Sequence, residues 1–290
     1  MADRPADGDS RPFRRVGPEA LASPVILSVP HAGRRYSDAL IAAARIPLHA
    51  LQSLEDRLVD RLVWRAVAAG ATALIAEVPR AEIDLNRHER EMDPLSVASP
   101  LPHSAFIQSA RTKSGLGLVP SRHPTAGAIW RHRLSVTELE QRIASIHRPF
   151  HAALAGLLEE ARGIFGVAIL LDCHSMPPRH GRERPDIVFG DRHGTSMGLQ
   201  YRDTALSVAA RTGFRVALNT PYAGGHITVA HGRPGDDIHA LQIEIDRSLY
   251  LDAALKEPGP GFDRVTRLIA ALADALAEAA IGDSPALAAE

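Results

Sequence analysis

Cysteine is nearly absent from this chain of 290 residues, Cys173 being the only one. That excludes an intrachain disulfide framework and any thiolate-rich zinc or iron–sulfur site. Lysine is almost as scarce: Lys113 and Lys256 stand against 31 arginines, which leaves little for Schiff-base or P-loop chemistry. Net charge is missing too. The 33 basic and 34 acidic residues leave −1 with neutral histidines, and so no electrostatic footprint for nucleic acid or an anionic membrane. No apolar run approaches the roughly 18 residues of a membrane span, and Met1 to Ser10 lacks the apolar core of a secretory signal. A cytoplasmic protein without membrane or nucleic-acid partners is expected. Histidine, by contrast, is plentiful at 14 residues. It is the commonest metal ligand and the usual acid or base near neutral pH, so the question is which of the fourteen matter.

Continuous apolar strands alternate with amphipathic helices. Val25–Val29, Thr72–Val78, Gly166–Leu171, Asp186–Phe189, Phe214–Leu218 and Ala240–Ile245 read as strands. Residues 51–69 carry Leu51, Leu54, Leu58, Leu62, Val63 and Ala66 at helical spacing, and Gly70 ends the run. Thr137-Glu138-Leu139-Glu140 reads as a capping-box start. Ser196–Arg211 and a closing segment with Val265, Leu268, Ile269, Leu272 and Leu276 complete the helices. The pattern implies an α/β fold with a largely parallel sheet covered on both faces. Residues 1–18 and 283–290 read as disordered ends around a single domain, 19–282. The stretch 93–136 has little periodicity, as a lid or binding loop would.

Functional groups in such sheets gather beyond the carboxyl ends of the strands. The first strand runs into His31, the second into Arg80 and Asp84-Leu85-Asn86-Arg87, and the third into Asp172-Cys173-His174. Two imidazoles and a carboxylate, with a position left for water, make a catalytic zinc set. His31 and His174 are the natural imidazoles, and Glu55 or Asp56 the natural carboxylate. Hydrogen bonding of each His to its turn is the competing reading. Asp172 is placed either to orient an imidazole or to cap the turn. Cys173 points the other way and reads as packing rather than as a nucleophile. Glu244 lies among Ile243 and Ile245, where a buried carboxylate must be paired or employed. Burial would raise its pKa toward that of a general base. Arg80 and the Asn86-Arg87 pair can grip a carboxylate bidentately or form a surface ion-pair cluster. The loop Asn219 to His226 is rich in glycine and follows a strand. Arg111 to Gly117 has a glycine-rich look but lacks the P-loop ending. The remaining histidines, eleven besides His31, His174 and His226, read as solvated or capping side chains.

Eight segments in order, spanning roughly residues 25–250, resemble the N-formylglutamate amidohydrolases. They are Ser28–Gly33, Glu55-Asp56 with Asp60, Pro79-Arg80 with Asp84–Arg87, Arg111–Gly117, Leu171–Pro177, Asp186–Arg192, Pro221–Gly225 and Leu241–Ile245. That family resembles the zinc carboxypeptidase and aspartoacylase group. The resemblance implies a three-layer sandwich in which a mixed sheet of eight-strand type lies between helices, in the phosphorylase/zinc-exopeptidase manner. It implies one divalent metal ion, Zn2+, held by His31, His174 and Asp56 or Glu55, with Asp56 favoured. It implies Asn86 and Arg87 on a substrate carboxylate and Glu244 as the base, with Arg80 or Arg87 on the oxyanion or clamping the glutamate carboxylates, and Tyr222, Gly224, Gly225 and His226 around the pocket. The compact His-x-x-Glu ligand pair is absent, since Ala32, Gly33 and Arg34 follow His31, and His193 and His226 stand where an aromatic is expected. The implied reaction is hydrolysis of N-formyl-L-glutamate to formate and L-glutamate, as at the end of histidine breakdown. A broader N-acyl amino acid deacylase, a small zinc carboxypeptidase and a non-catalytic metal or ligand binder are the alternatives.

Overall fold

The computed structural model describes residues 11–98, 102–178 and 184–282. Seven strands form its principal sheet: β1 (Phe13–Val16), β2 (Val25–Val29), β3 (Thr72–Ala76), β4 (Ala168–Met176), β5 (Ile187–Gly190), β6 (Val216–Leu218) and β7 (Ile238–Asp246). Their order across the sheet is β1-β3-β2-β4-β7-β5-β6. β3, β2, β4 and β7 run parallel to one another, β1 is antiparallel to β3, and the β5–β6 pair runs against β7. The sheet is therefore mixed. It has seven strands among the described residues where the resemblance implied an eight-strand type. β1 falls within the stretch expected to be disordered: Phe13 to Val16 are ordered by pairing with Ala76 to Ala73. Residues 1–10 and 283–290 lie outside the described residues.

Helices cover both faces. On one face α6 (Arg148–Phe165) packs Phe150, Leu154, Leu158 and Ala161 against Ile26, Leu74, Leu170 and Ala240. On the other, α3 (Val59–Leu62), α4 (Trp64–Ala68), α7 (Leu199–Arg211) and α9 (Phe262–Gly282) bury Leu62, Ala66, Ala205, Leu268 and Leu272 against Leu27, Ile75, Leu171 and Ile243. Cys173 belongs to this second core, as packing. No helix among the described residues is long and apolar enough to cross a membrane.

Successive strand residues alternate between the two faces, and this alternation creates the site. On the α6 side, β4 presents Ala168 and Leu170 and then Asp172 and His174, while β7 presents Ile238 and Ala240 and then Gln242 and Glu244. The face changes from apolar to polar halfway along the two central strands. Ser28, Asp172 and Gln242 stand in register across β2, β4 and β7, and Glu244 stands beside His174.

Two local expectations are corrected. The helix expected over 51–69 is broken into α2 (Leu48–Gln52), α3 and α4. Between α2 and α3 the chain turns so that Asp56 N donates to His31 O at 2.9 Å, and Leu58 takes φ +61°. The helix expected from Thr137, here α5 (Val136–Arg142), has Ser135 as its cap, in a reciprocal pair with Glu138. A π-helical turn, Ile143–His147, joins α5 to α6.

Gly33, in the turn beyond β2, lets the chain pass against Val78, two residues beyond β3: a Cβ there would lie 1.9 Å from Val78 O. Because the obstacle is backbone, Gly33→Ala is expected to destabilise the fold by about 1–3 kcal/mol or more. Urea denaturation checks this, and an unchanged midpoint would show that the turn can relax.

Candidate active site and metal centre

His31 and His174 face each other with Nδ1 atoms 3.1 Å apart, and Asp56 Oδ2 lies 3.2 Å from one and 3.1 Å from the other. All three residues are buried. Each ring is fixed from behind by a second carboxylate. His31 Nε2 meets Asp84 Oδ1 at 2.7 Å, and His174 Nε2 meets Asp172 Oδ2 at 2.8 Å. A carboxylate accepts, so the protons belong on the Nε2 atoms and the Nδ1 lone pairs turn inward. Three electron-rich atoms then converge with nothing positive between them. Without an ion, a proton must fill that role. Burial pulls the His174 pKa down, but Asp172, Asp56 and Glu244 together hold it well above the usual histidine value. Burial likewise opposes ionisation of Asp56, and the contacts with His174 and His31 hold it well below the usual carboxylate range. A divalent cation replaces the shared proton at such a site. The spacing fits: ligands about 2 Å from a tetrahedral ion lie about 3.3 Å from one another.

Asp84 is itself braced. Burial works to raise its pKa, but the charges of Arg80, His31 and Arg87 outweigh it and hold the carboxyl well below its usual range. Arg80 Nε donates to Asp84 Oδ2 at 2.9 Å. Arg247 holds the far oxygen of Asp56 at 3.1 Å and also donates to Ser175 Oγ. Glu55, the alternative carboxylate, turns away, accepting from Tyr36 OH at 2.8 Å and Arg57 Nη1 at 3.1 Å. It is not part of the convergent set.

A cavity of about 390 Å³ opens over His31, Asp56 and His174, a volume within the range of small-molecule sites. Glu244 stands in its wall, its Oε1 accepting from Gln242 Nε2 at 2.9 Å. Burial pushes the Glu244 carboxyl up to about 7, with Asp56 adding to the rise and His174 and Arg80 opposing it. Arg80, Arg87, Arg111 and Arg247 also line the cavity. Arg87 is committed in part, donating to Leu116 O and Asn86 O. The Asn86 amide is wholly engaged: Oδ1 accepts from Ile227 N at 2.8 Å, and Nδ2 lies 3.1 Å from His174 Nε2 and reaches Gln242 Oε1 and Asp172 Oδ2 at 3.3 and 3.5 Å. It closes the cavity floor rather than presenting a free amide. The guanidinium carbon of Arg111 lies 6.0 Å from the Tyr222 ring centroid, and its side chain makes no hydrogen bond among the described residues. Sequence reasoning did not single out Arg111 or Arg247 as site residues. Arg111 was visible only within the glycine-rich motif, and Arg247 follows the last strand with no motif around it.

The loop 219–225 reaches the cavity by an unexpected route. β6 runs against the central strands, so its carboxyl end lies at the opposite edge. The loop therefore folds back over β5 at Gly190, where a Cβ would lie 2.5 Å from Gly224 N. Tyr222 and Gly225 then line the cavity, and a Cβ on Gly225 would lie 2.3 Å from the Asn86 amide. Gly224 and His226 do not line it. Gly224 shapes the turn with φ +115°, and His226 starts α8 (His226–His231) among other histidines. The expectation that the remaining histidines are solvated holds for His49, His88, His132 and His193, which are exposed, but fails for four others: His147, His231 and His239 are buried and His151 is half-buried. Burial pushes His151 down to about 2, and His226 and His231 to about 4. His180 lies outside the described residues.

Fold and site together define an α/β chain with a candidate metal centre, a perturbed carboxyl and a cluster of arginines at the edge of a mixed sheet. The chain belongs to the N-formylglutamate amidohydrolase family, whose pattern matches residues 23–251. It is 31% identical to the N-formylglutamate deformylase of Pseudomonas putida over 240 residues, 79% of this chain and 82% of that protein. The crystal structure of N-formylglutamate amidohydrolase from Ralstonia eutropha JMP134 superposes with a TM-score of 0.85 at 33% identity, covering 92% of this chain and 97% of that one. The Agrobacterium tumefaciens gene product Atu2144, at 17% identity and a TM-score of 0.61, shares the fold.

Because Asp172 fixes the His174 ring, Asp172→Asn is expected to weaken binding of Zn2+ about 10–100-fold, whereas Glu55→Gln leaves it unchanged. Equilibrium dialysis of chelator-stripped protein checks both, and equal losses would contradict the placement of Glu55 outside the set.

Proposed function

We propose that the protein hydrolyses N-formyl-L-glutamate to formate and L-glutamate, with one Zn2+ ion held by His31, Asp56 and His174. Family membership supports the reaction class. The observation that carries the reading is the meeting of Glu244 with the convergent His31, Asp56 and His174 in one arginine-lined cavity. The two imidazoles and one carboxylate are a zinc-type donor set, and the inward lone pairs suit a cation. When bound, the ion acts as a Lewis acid on the formyl carbonyl and lowers the pKa of water. Glu244 takes the proton from the attacking water and delivers it to the departing amine. Arg80, whose Nε is braced on Asp84, offers its remaining guanidinium donors to the developing oxyanion. Arg111 and Arg87 receive the two carboxylates of the substrate. Asn86 keeps the floor rigid by tying α8 to Asp172 and Gln242.

We read the fold as a three-layer sandwich of the zinc-exopeptidase kind, the single domain as residues 19–282, and the partner as a small N-acyl amino acid. The segment 93–136 supplies Arg111, Leu116, His123 and Pro124 to the cavity wall. We read it as the lid over the substrate.

Glu244→Gln, with bound Zn2+ verified by elemental analysis, is expected to lower kcat about 10²–10⁴-fold. The free-enzyme kcat/KM should fall on the acid side as Glu244 takes up a proton. The midpoint should lie between the ordinary glutamate value and about 7, because burial raises it and a bound cation pulls it back. Formate release measured from pH 4.5 to 8 checks this, and retention of the acid limb in the residual activity of Glu244→Gln would assign the base elsewhere. Arg111→Ala, which removes a charged hydrogen bond worth about 1.5–3 kcal/mol, is expected to raise KM roughly 10–150-fold with kcat little changed. A fall in kcat alone would instead place Arg111 on the transition state.

A further inference from the structure

Outside the cavity, beyond Asn86 and Arg87, a second group of histidines converges. His147 ends the π-helical turn before α6, and His151 follows one helical turn later. His226 opens α8. The ring centroids of His147 and His151 lie 4.4 Å apart, and those of His151 and His226 lie 5.2 Å apart. One ring nitrogen from each of the three lies within 4.8 Å of the others.

The hydrogen bonds show which nitrogens are available. His147 Nε2 donates to Arg87 O at 2.8 Å, and His151 Nε2 donates to Leu85 O at 2.9 Å. A carbonyl can only accept, so both protons sit on Nε2 and both Nδ1 atoms carry a lone pair. His147 Nδ1 is buried and has no hydrogen-bond partner. The nearest charged atom recorded for it is Glu89 Oε1 at 3.8 Å. His151 Nδ1 faces His231 Nε2 at 2.9 Å. His151 and His226 are half-buried and His88 beside them is exposed, which gives an ion a way in.

We propose that His147, His151 and His226 form a second divalent-metal site, distinct from the one at His31, Asp56 and His174 and suited to an imidazole-preferring ion such as Zn2+. Three imidazoles are a sufficient protein donor set for zinc. A ligating histidine is typically held by an acceptor on its far nitrogen, and His147 and His151 are held in that way, by backbone carbonyls. Binding displaces the His151–His231 hydrogen bond. The carbonyls that hold the ligands belong to Leu85 and Arg87, on either side of Asn86, and Ile227 beside His226 donates to the Asn86 side chain. An ion here would tie α6 and α8 to the segment that closes the floor of the catalytic cavity. It is a structural site, separate from the chemistry.

The test is Zn2+ stoichiometry by equilibrium dialysis of chelator-stripped full-length protein near pH 7.5. Wild type is expected to bind two ions per chain, and His226→Ala and His151→Gln one each, with folding confirmed by circular dichroism. Asp56→Asn is expected to keep the second ion, so the result does not depend on the proposed reaction. A single ion in wild type that His226→Ala and His151→Gln retain would overturn the proposal. So would affinity for the second ion that falls less than about tenfold in His226→Ala. Loss of both ions in Asp56→Asn would also overturn it.

Discussion

The organisation of this protein depends on placing two imidazoles and a carboxylate with their lone pairs aimed at one point. That arrangement is unfavourable unless a proton or a cation joins it, and every surrounding feature acts to maintain it. Asp84 and Asp172 fix the far nitrogens of His31 and His174. Arg80 braces Asp84, and Arg247 holds the other oxygen of Asp56. The scaffold beneath is the pair of long parallel strands β4 and β7, whose one face is apolar at the start and polar at the end. The apolar half anchors α6 and resists distortion. The polar half carries His174, Asp172, Gln242 and Glu244.

Much of this was legible in the sequence because strand ends are short, apolar and sharply bounded. Val25–Val29 ends at Pro30, so His31 had to lie at the sheet edge, and the two-residue period put Asp172 and His174 on one face. Glu244 was conspicuous as a charge between isoleucines. Spacing alone did not separate Glu55 from Asp56, and only the resemblance favoured Asp56, because the heptad-like leucines of residues 51–69 suggested one helix. A tertiary contact, Asp56 N to His31 O, breaks that helix and decides which carboxylate turns inward. Local propensity yielded to the long-range hydrogen bond.

The histidine cluster was illegible for a similar reason. His147 and His151 looked like polar positions on an amphipathic helix, His231 like a loop or helix-face residue, and His226 like a residue of the substrate pocket. The reversal of the β5–β6 pair against β7 precedes the loop that brings α8 against α6, where His231 meets His151. The same reversal carries Tyr222 and Gly225 back over Gly190 to the cavity, where strand-end logic would have placed them at the far edge. Arg111 is distant in sequence from every strand of the principal sheet; only its place in the aperiodic stretch 93–136 and in the matching segment Arg111–Gly117 pointed toward the cavity.

The catalytic cavity and the histidine cluster share one segment, Leu85 to Arg87. The side chains of Asn86 and Arg87 face the first, Leu85 is buried in the core, and the carbonyls of Leu85 and Arg87 accept from His151 and His147 of the second. The central claim remains that a cation at His31, Asp56 and His174 enables hydrolysis of a formyl amide. Formate release from N-formyl-L-glutamate can be followed in chelator-stripped protein before and after addition of two equivalents of Zn2+. Negligible release before and full recovery after are expected; undiminished release from the stripped protein would contradict the metal-dependent reaction.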